Sequence, residues 1–209
     1  MGILKRYMNQ TRKPEGKLGS MMIKGMNSGH ATMADWGMSF LDATVDPSNI
    51  VDFGCGGGRN LSALLLKFPN AFGTGVDYSE LSVQKSKEFN KVFIEGGRCE
   101  ILQGDVSALT LKKDNYDLAT AFETIYFWPG LERCFSQVAA TLKSGSTFMI
   151  VNESDGNDRP SKKYERIIEG MKIYTADQIA VALQRAGFAN IRVEHHRSKP
   201  WIAVYAVKV

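Results

Sequence analysis

Short apolar runs alternate with amphipathic stretches along most of the chain, and this alternation predicts its elements. Five runs have the length of a strand, and three of the stretches between them repeat apolar residues at helical spacing, as does one that precedes the first strand. Strands that alternate with helices indicate βαβ units, and hence a parallel sheet covered on both faces. The predicted strands are residues 49–53, 72–76, 100–103, 116–122 and 147–152, and the predicted helices are residues 31–41, 61–68, 79–93 and 131–142.

The C-terminal part of the chain has a different pattern. Thr175, followed three positions later by Gln178, fits a capping box that opens a helix ending at Gly187. Two strand-like runs follow, residues 191–195 and 201–207, and only a few residues separate them. So short a connection permits an antiparallel hairpin but no parallel crossover. We therefore predict an α/β, Rossmann-like, doubly wound fold, with a mostly parallel seven-stranded sheet, an antiparallel C-terminal hairpin strand and helices on both faces.

The N-terminal region carries the excess positive charge. Residues 1–29 have a net charge of +5, whereas the whole chain of 209 residues has a net charge of +4. Gly16, Gly19, Gly25 and Gly29 predict loose structure in this region, so we expect residues 1–45 to form a basic arm and a cap helix beside a main domain of residues 46–209. The arm is either a solvated segment or a lid that attracts an anionic substrate or nucleic acid.

Composition excludes several classes of protein. No apolar run approaches the ~20 residues that a membrane span needs, so we expect no membrane association and a cytoplasmic location. The three cysteines are odd in number and widely spaced, which fits neither a disulfide framework nor a zinc site. We therefore expect reduced, buried thiols and no metal site, and the oligomeric state stays open.

The strongest motif lies between the first predicted strand and the helix that follows it. Its pattern is Asp52-x-Gly54-x-Gly56-x-Gly58. Glycines at this place let the backbone turn sharply and approach a ligand closely. A dinucleotide-binding fingerprint, G-x-G-x-x-G, would need its third glycine at position 59, where the chain has Arg59. The motif therefore counts against a dinucleotide-dependent reductase.

Three further motifs end the second, third and fourth strands. Asp77, which Tyr78 follows, lies at the position where a carboxylate can accept hydrogen bonds from both hydroxyls of a ribose. Gly104-Asp105-Val106 comes after the third strand, and Phe122-Glu123 ends the fourth. Because ligands of open α/β sheets bind at the carboxyl ends of the strands, the four motifs together predict one binding site.

From about residue 49 to residue 153, the order of these motifs resembles class I S-adenosylmethionine (SAM)-dependent methyltransferases, in the branch that includes quinone and other small-molecule methyltransferases. The resemblance implies that SAM is the cofactor. It places Asp52 near the methionine amino group, Asp77 on the ribose, and Tyr78, Asp105 and Val106 around the adenine. The cofactor-binding residues that it implies are Asp52, Gly54, Cys55, Gly56, Gly58, Asp77, Tyr78, Gly104, Asp105, Val106 and Phe122.

The methyl acceptor is expected to be a small molecule. Methylases of base amino groups often carry Asn/Asp-Pro-Pro-Tyr/Phe after the fourth strand, where this chain has Phe-Glu-Thr-Ile. The candidate catalytic residues are His30 and Glu123, each able to orient or deprotonate an acceptor, and Tyr126, as part of an aromatic wall. A surface histidine, a structural carboxylate and a core tyrosine are the alternative interpretations. The alternative functions are an RNA or protein methyltransferase that uses the basic arm, and a SAM-binding protein without catalysis.

Overall fold

The computed structural model describes residues 3–41 and 46–209, and its centre is a seven-stranded sheet in the order β3-β2-β1-β4-β5-β7-β6. All strands are parallel except β7, which runs antiparallel to both of its neighbours. This topology confirms the predicted fold class. The strands are β1 Asn49–Phe53, β2 Phe72–Asp77, β3 Cys99–Gln103, β4 Tyr116–Phe122, β5 Leu142–Asn152, β6 Phe188–His195 and β7 Ile202–Lys208.

Helices cover both faces of the sheet. Leucines and phenylalanines of α7 and α10 pack on one face, and apolar residues of α3, α4 and α5 pack on the other. The predicted capping box is present at Thr175 and opens α10. The helices are α1 Ile3–Met8, α2 Gly16–Gly29, α3 Ala31–Met38, α4 Arg59–Lys67, α5 Glu80–Phe89, α6 Lys91–Glu95, α7 Leu131–Thr141, α8 Arg159–Lys162, α9 Tyr164–Ile167 and α10 Ala176–Arg185.

The N-terminal region is more ordered than its glycines predict, and the expectation of loose structure there is wrong. It forms α1, a short 3-10 turn and the fourteen-residue helix α2 before the expected cap helix, α3. Met22 and Ile23 of α2 are buried, so packing outweighs the low helix propensity of glycine. Gly19 permits this packing, since a Cβ there would lie 2.7 Å from the Pro14 carbonyl carbon. The predicted boundary between residues 45 and 46 falls at the edge of a segment, residues 42–45, outside the described residues.

Two other elements differ from the pattern. The helix predicted over residues 79–93 is divided into α5 and α6 at Asn90, whose side-chain amide donates to the carbonyls of Gly58 and Ser86, each at 3.0 Å. This amide therefore ties the end of α5 to the glycine loop. The fifth strand begins earlier than predicted, because its first part pairs with β4 across a register shift. Among residues 3–41 and 46–209, no helix is long and apolar enough to cross a bilayer.

Candidate active site

One cavity of about 290 Å³ lies at the carboxyl ends of β1 to β4 and is covered by the N-terminal helices. This volume is at the small end of the range for ligand pockets, roughly 300–1,000 Å³. The structure brings most of the sequence-predicted site residues to its wall. Those that line it are His30, Gly54, Cys55, Gly56, Asp77, Tyr78, Gly104, Asp105, Val106, Phe122 and Glu123.

Three predicted residues are not on the wall of the cavity. Asp52 is 1% exposed, and its carboxylate accepts a hydrogen bond from the Thr120 hydroxyl at 2.7 Å. Gly58 has a φ of 81° and is the N-cap residue of α4. Tyr126 is buried and donates its hydroxyl hydrogen to Glu123 at 2.8 Å. These residues can act on a ligand through the groups that they hold, and the aromatic-wall role of Tyr126 does not fit its position.

The glycine loop has two kinds of glycine. Gly54, with a φ of 73°, packs so closely that a Cβ would lie 2.1 Å from the Thr124 hydroxyl oxygen. Gly56, with a φ of 53°, has only one atom near its Cβ position, the Gly54 carbonyl oxygen at 4.0 Å. Since Gly56 also lines the cavity, it offers bare backbone to a ligand.

Asp77 connects the ends of β1 and β2. One carboxylate oxygen accepts from the Gly56 backbone N–H at 2.8 Å, and the other accepts from the Ser79 backbone N–H at 2.8 Å. Burial raises the pKa of this carboxyl above its usual range. Because each carboxylate oxygen has two lone pairs, both can still accept a hydrogen bond from a ligand hydroxyl.

The N-terminal segment closes the β2–β3 side of the cavity. The Ser79 hydroxyl donates to the Pro14 carbonyl at 2.9 Å, and the Lys13 ammonium lies 5.2 Å from the centroid of the Tyr78 ring. Below them, Asp105 is fixed by the backbone N–H and the hydroxyl of Ser107, both at 2.8 Å. This end of the cavity therefore has an aromatic ring and a carboxylate in defined positions.

A carboxylate and a histidine occupy the other end. Glu123 directly follows β4 with a φ of 56°, and its Oε1 accepts from Tyr126 and from the Glu153 backbone N–H. Burial raises the pKa of Glu123. His30 lies between α2 and α3, with its Nε2 3.9 Å from a Glu153 carboxylate oxygen. One ligand atom from each of His30, Glu123 and Glu153 lies within 4.8 Å of the others, a spacing that would admit a metal ion.

Arg59 fastens the cap to the glycine loop. Its two terminal nitrogens each lie 2.6 Å from a carboxylate oxygen of Asp35 in α3, a bidentate pair. The Asn27 side chain adds a hydrogen bond to the Gly57 carbonyl at 3.3 Å. In the sequence, Arg59 was informative only because it occupies the place of the third glycine of a dinucleotide-binding fingerprint. No local signal indicated its partner, Asp35, which lies 24 positions away.

Other wall residues escaped the sequence analysis because they lie far from the strand-end motifs or carry no chemical signature. The basic character of the N-terminal region was the only signal for those that come from residues 1–29. The wall residues that were not predicted as site residues include Thr11, Arg12, Pro14, Gly57, Asn60 and Thr124.

Asp52 gives a prediction for stability against pH. Burial raises its pKa from 3.8 to about 7, so the folded state holds a proton that the unfolded state releases. The stabilisation from this group is therefore full below about pH 4 and is lost as the pH rises to about 7. We expect the free energy of unfolding of Asp52→Asn, relative to that of the wild type, to be higher at pH 8 than at pH 5. The measurement is urea unfolding of both proteins at the two pH values. Glu95→Gln, an exposed control, should show no such trend, and an Asp52→Asn difference that does not change with pH would contradict the burial cause.

Comparison with known proteins identifies the family. A family model described as a methyltransferase domain matches residues 27–193, which is most of the chain. The chain belongs to this methyltransferase domain family. This assignment agrees with the resemblance to class I methyltransferases that the sequence motifs indicated.

Curated relatives are distant and longer. The 24-methylenesterol C-methyltransferase 3 of Arabidopsis thaliana is 25% identical over 166 residues, which is 73% of this chain and 45% of that protein. The malonyl-[acyl-carrier protein] O-methyltransferase of Geobacter sulfurreducens is 24% identical over 172 residues, 75% of this chain and 63% of that protein. The chain spans less than half the length of the sterol methyltransferases that it matches.

Solved structures share the fold. A chain of the Haloferax volcanii complex that contains the methyltransferase activator Trm112 superposes with a TM-score of 0.81 at 17% identity, covering 99% of this chain and 98% of that one. Mitomycin 7-O-methyltransferase superposes with a TM-score of 0.78 at 20% identity, covering 97% of this chain and 60% of that one. At such identities the likeness concerns the fold alone.

Proposed function

We propose that this protein transfers the methyl group of SAM to a small-molecule acceptor. The observation that carries the proposal is that one cavity joins the glycine loop, Asp77 and Asp105 at one end to His30 and Glu123 at the other. A methyltransferase of this class needs such a continuous space, because donor and acceptor must lie in line. Membership of the methyltransferase domain family supports the reaction type.

The donor fits the cavity in one direction. The ribose hydroxyls would bind Asp77, and the adenine would lie between Tyr78 and the Asp105–Val106 turn. The methionine part would pass over Gly54, Cys55 and Gly56, and the methyl group would point to the end that holds Glu123. Asp52, under the loop, would reach the amino group only through a water molecule, and Gly58 would act by turning the chain into α4.

Catalysis would rest mainly on positioning. SAM supplies a methyl group that is already activated by its sulfonium. The protein must then align the acceptor and exclude water, and the N-terminal helices that cover the cavity would serve the second purpose. Glu123, with its Oε1 fixed by Tyr126, would contact or orient the acceptor at its other oxygen. His30, at the same end, would provide a second contact with the acceptor. Tyr126 would be a positioning residue, because it touches Glu123 and not the acceptor.

Two features support a small acceptor. The cavity of about 290 Å³ lies under the N-terminal helices, which leaves little space beyond that for SAM. Curated relatives are named for sterols and fatty acids. The second candidate is a methyltransferase that acts on RNA or protein. The net charge of +5 on residues 1–29, with Arg12 on the cavity wall, favours that candidate.

We also assign residues 1–45 to a cap and residues 46–209 to a SAM-binding domain. The Arg59–Asp35 pair and the Asn27–Gly57 hydrogen bond support a cap that docks on the glycine loop. The cytoplasmic location stays a prediction from the sequence.

The proposed function is tested with SAM labelled in its methyl group. The protein is incubated with sterols, fatty acids, phenols and amines, and in parallel with total RNA and an extract of proteins. We expect the label to enter a small-molecule fraction. Label in RNA or protein would contradict the acceptor class. Binding of SAM without transfer to any acceptor in the panel would favour a SAM-binding protein without catalysis.

A further inference from the structure

We propose that His30, Glu123 and Glu153 form a binding site for a divalent cation at the acceptor end of the cavity. The cation site itself can be tested alone, whereas its role in methyl transfer rests on the function proposed above. The three side chains come from three separate elements: the junction of α2 and α3, the end of β4 and the end of β5. Their distance in the sequence explains why no local spacing indicated a metal site.

The distances between the three ligand atoms are close to those around a bound ion. In an octahedral site with bonds of about 2.1 Å, neighbouring ligand atoms lie about 3 Å apart and opposite ones about 4.2 Å apart. The ligand atoms of His30, Glu123 and Glu153 lie within 4.8 Å of one another. Movements of about 1 Å, which side-chain rotations can supply, would bring all three into contact with one ion.

The charges at this end favour a cation. Two carboxylates, both only partly exposed, face a single histidine. Among the residues that the structure describes, no lysine or arginine lies within ion-pair distance of Glu123 or Glu153. Arg59, on the wall of the same cavity, is already held by Asp35. Since like charges in a low-dielectric site repel, an ion between the carboxylates would stabilise both.

The candidate ligand atoms have free capacity to bind an ion. Tyr126 and the Glu153 backbone N–H both donate to Oε1 of Glu123, which leaves Oε2 without a partner among the described residues. The distance of 3.9 Å between His30 and Glu153 is too long for a hydrogen bond. An outer group that fixes a carboxylate while leaving one oxygen open is the usual arrangement around metal ligands.

Three protein ligands would leave coordination positions for an acceptor. One nitrogen and two carboxylate donors suit a cation such as Mn²⁺, and the free positions would hold oxygen atoms of the acceptor. A hydroxyl bound there would lose its proton to solvent more readily. Its oxygen would then form the new bond to the methyl carbon while the methyl–sulfur bond breaks and its electron pair stays on sulfur. The acceptor class would be compounds with two neighbouring oxygen atoms.

The test uses MnCl₂ alone with the full chain after treatment with a chelator. Calorimetric titration and the electron paramagnetic resonance of free Mn²⁺ should both report one bound ion per chain. We expect His30→Ala and Glu153→Gln to weaken this binding at least tenfold. His195→Ala and Glu95→Gln are matched controls with exposed side chains outside the cavity, and should bind Mn²⁺ as the wild type does.

Each outcome separates this proposal from the proposed function. Absence of Mn²⁺ binding, or binding that persists in both variants, would overturn the cation site. SAM binding is measured on the same proteins and should be unchanged in His30→Ala and Glu153→Gln, which also shows that they are folded. If the wild type binds Mn²⁺ but does not bind SAM, the donor site is overturned and the cation site is not.

Discussion

Gly56→Val should abolish SAM binding and leave the protein folded. The Cβ position of Gly56 opens into the cavity, so a β-branched side chain would occupy the path of the donor. The φ of 53° adds strain that a valine tolerates poorly, but this strain is confined to one loop position. We expect an affinity at least about a hundredfold lower, equivalent to roughly 2.7 kcal/mol of binding free energy, measured by calorimetric titration.

The control for backbone strain is Gly145→Val. Gly145 also has a positive φ, 81°, and no atom within 4 Å of its Cβ position, but it lies within β5 and away from the cavity. This variant should lose stability and bind SAM normally. If Gly56→Val binds SAM as the wild type does, the donor does not pass over the glycine loop.

The second large effect on SAM affinity is expected for Asp77→Ala. We expect SAM to bind at least about tenfold more weakly, because the ribose would lose charge-assisted hydrogen bonds, and even one of these contributes about 1.5–3 kcal/mol. The Gly56 backbone N–H would also lose its acceptor at 2.8 Å, which loosens the glycine loop. The measurement is a titration with SAM, together with thermal unfolding of the same samples.

Asp117→Ala is the matched control for Asp77→Ala. Asp117 also accepts from two backbone N–H groups, those of Ser48 and Asn49, at 3.0 and 2.9 Å, but at the amino ends of β1 and β4, opposite the end that holds the cavity. It should lower the unfolding temperature without changing the SAM affinity. Equal losses of SAM affinity in the two variants would show that Asp77 matters for stability and not as a ligand.

The sheet could be predicted because its signals are local. Residues 49–53 and 116–122 are apolar runs that match β1 and β4 to the residue. Burial on both faces requires such runs, and the glycines and carboxylates at their ends are features of short sequence range. The antiparallel β7 followed from the length of one connection. The donor-side wall of the cavity could therefore be predicted from motifs within single strand–turn units.

The acceptor end could not be predicted in the same way, because it depends on contacts between distant residues. Glu153 approaches His30 only when β5 lies beside the cap, and Arg59 finds Asp35 only when α3 docks on α4. Helix α2 is rich in glycine and is stabilised by tertiary packing of Met22 and Ile23, which helix propensity does not register. Tyr126 was assigned to the site, but it supports Glu123 from below.

The central claim, that this cavity is a SAM site, is tested most directly by calorimetric titration of the purified chain with SAM, S-adenosylhomocysteine and NADH in parallel. We expect micromolar binding of SAM and S-adenosylhomocysteine, with one site per chain, and no binding of NADH. Binding of NADH without binding of SAM or its product would contradict the account and revive a dinucleotide-dependent enzyme.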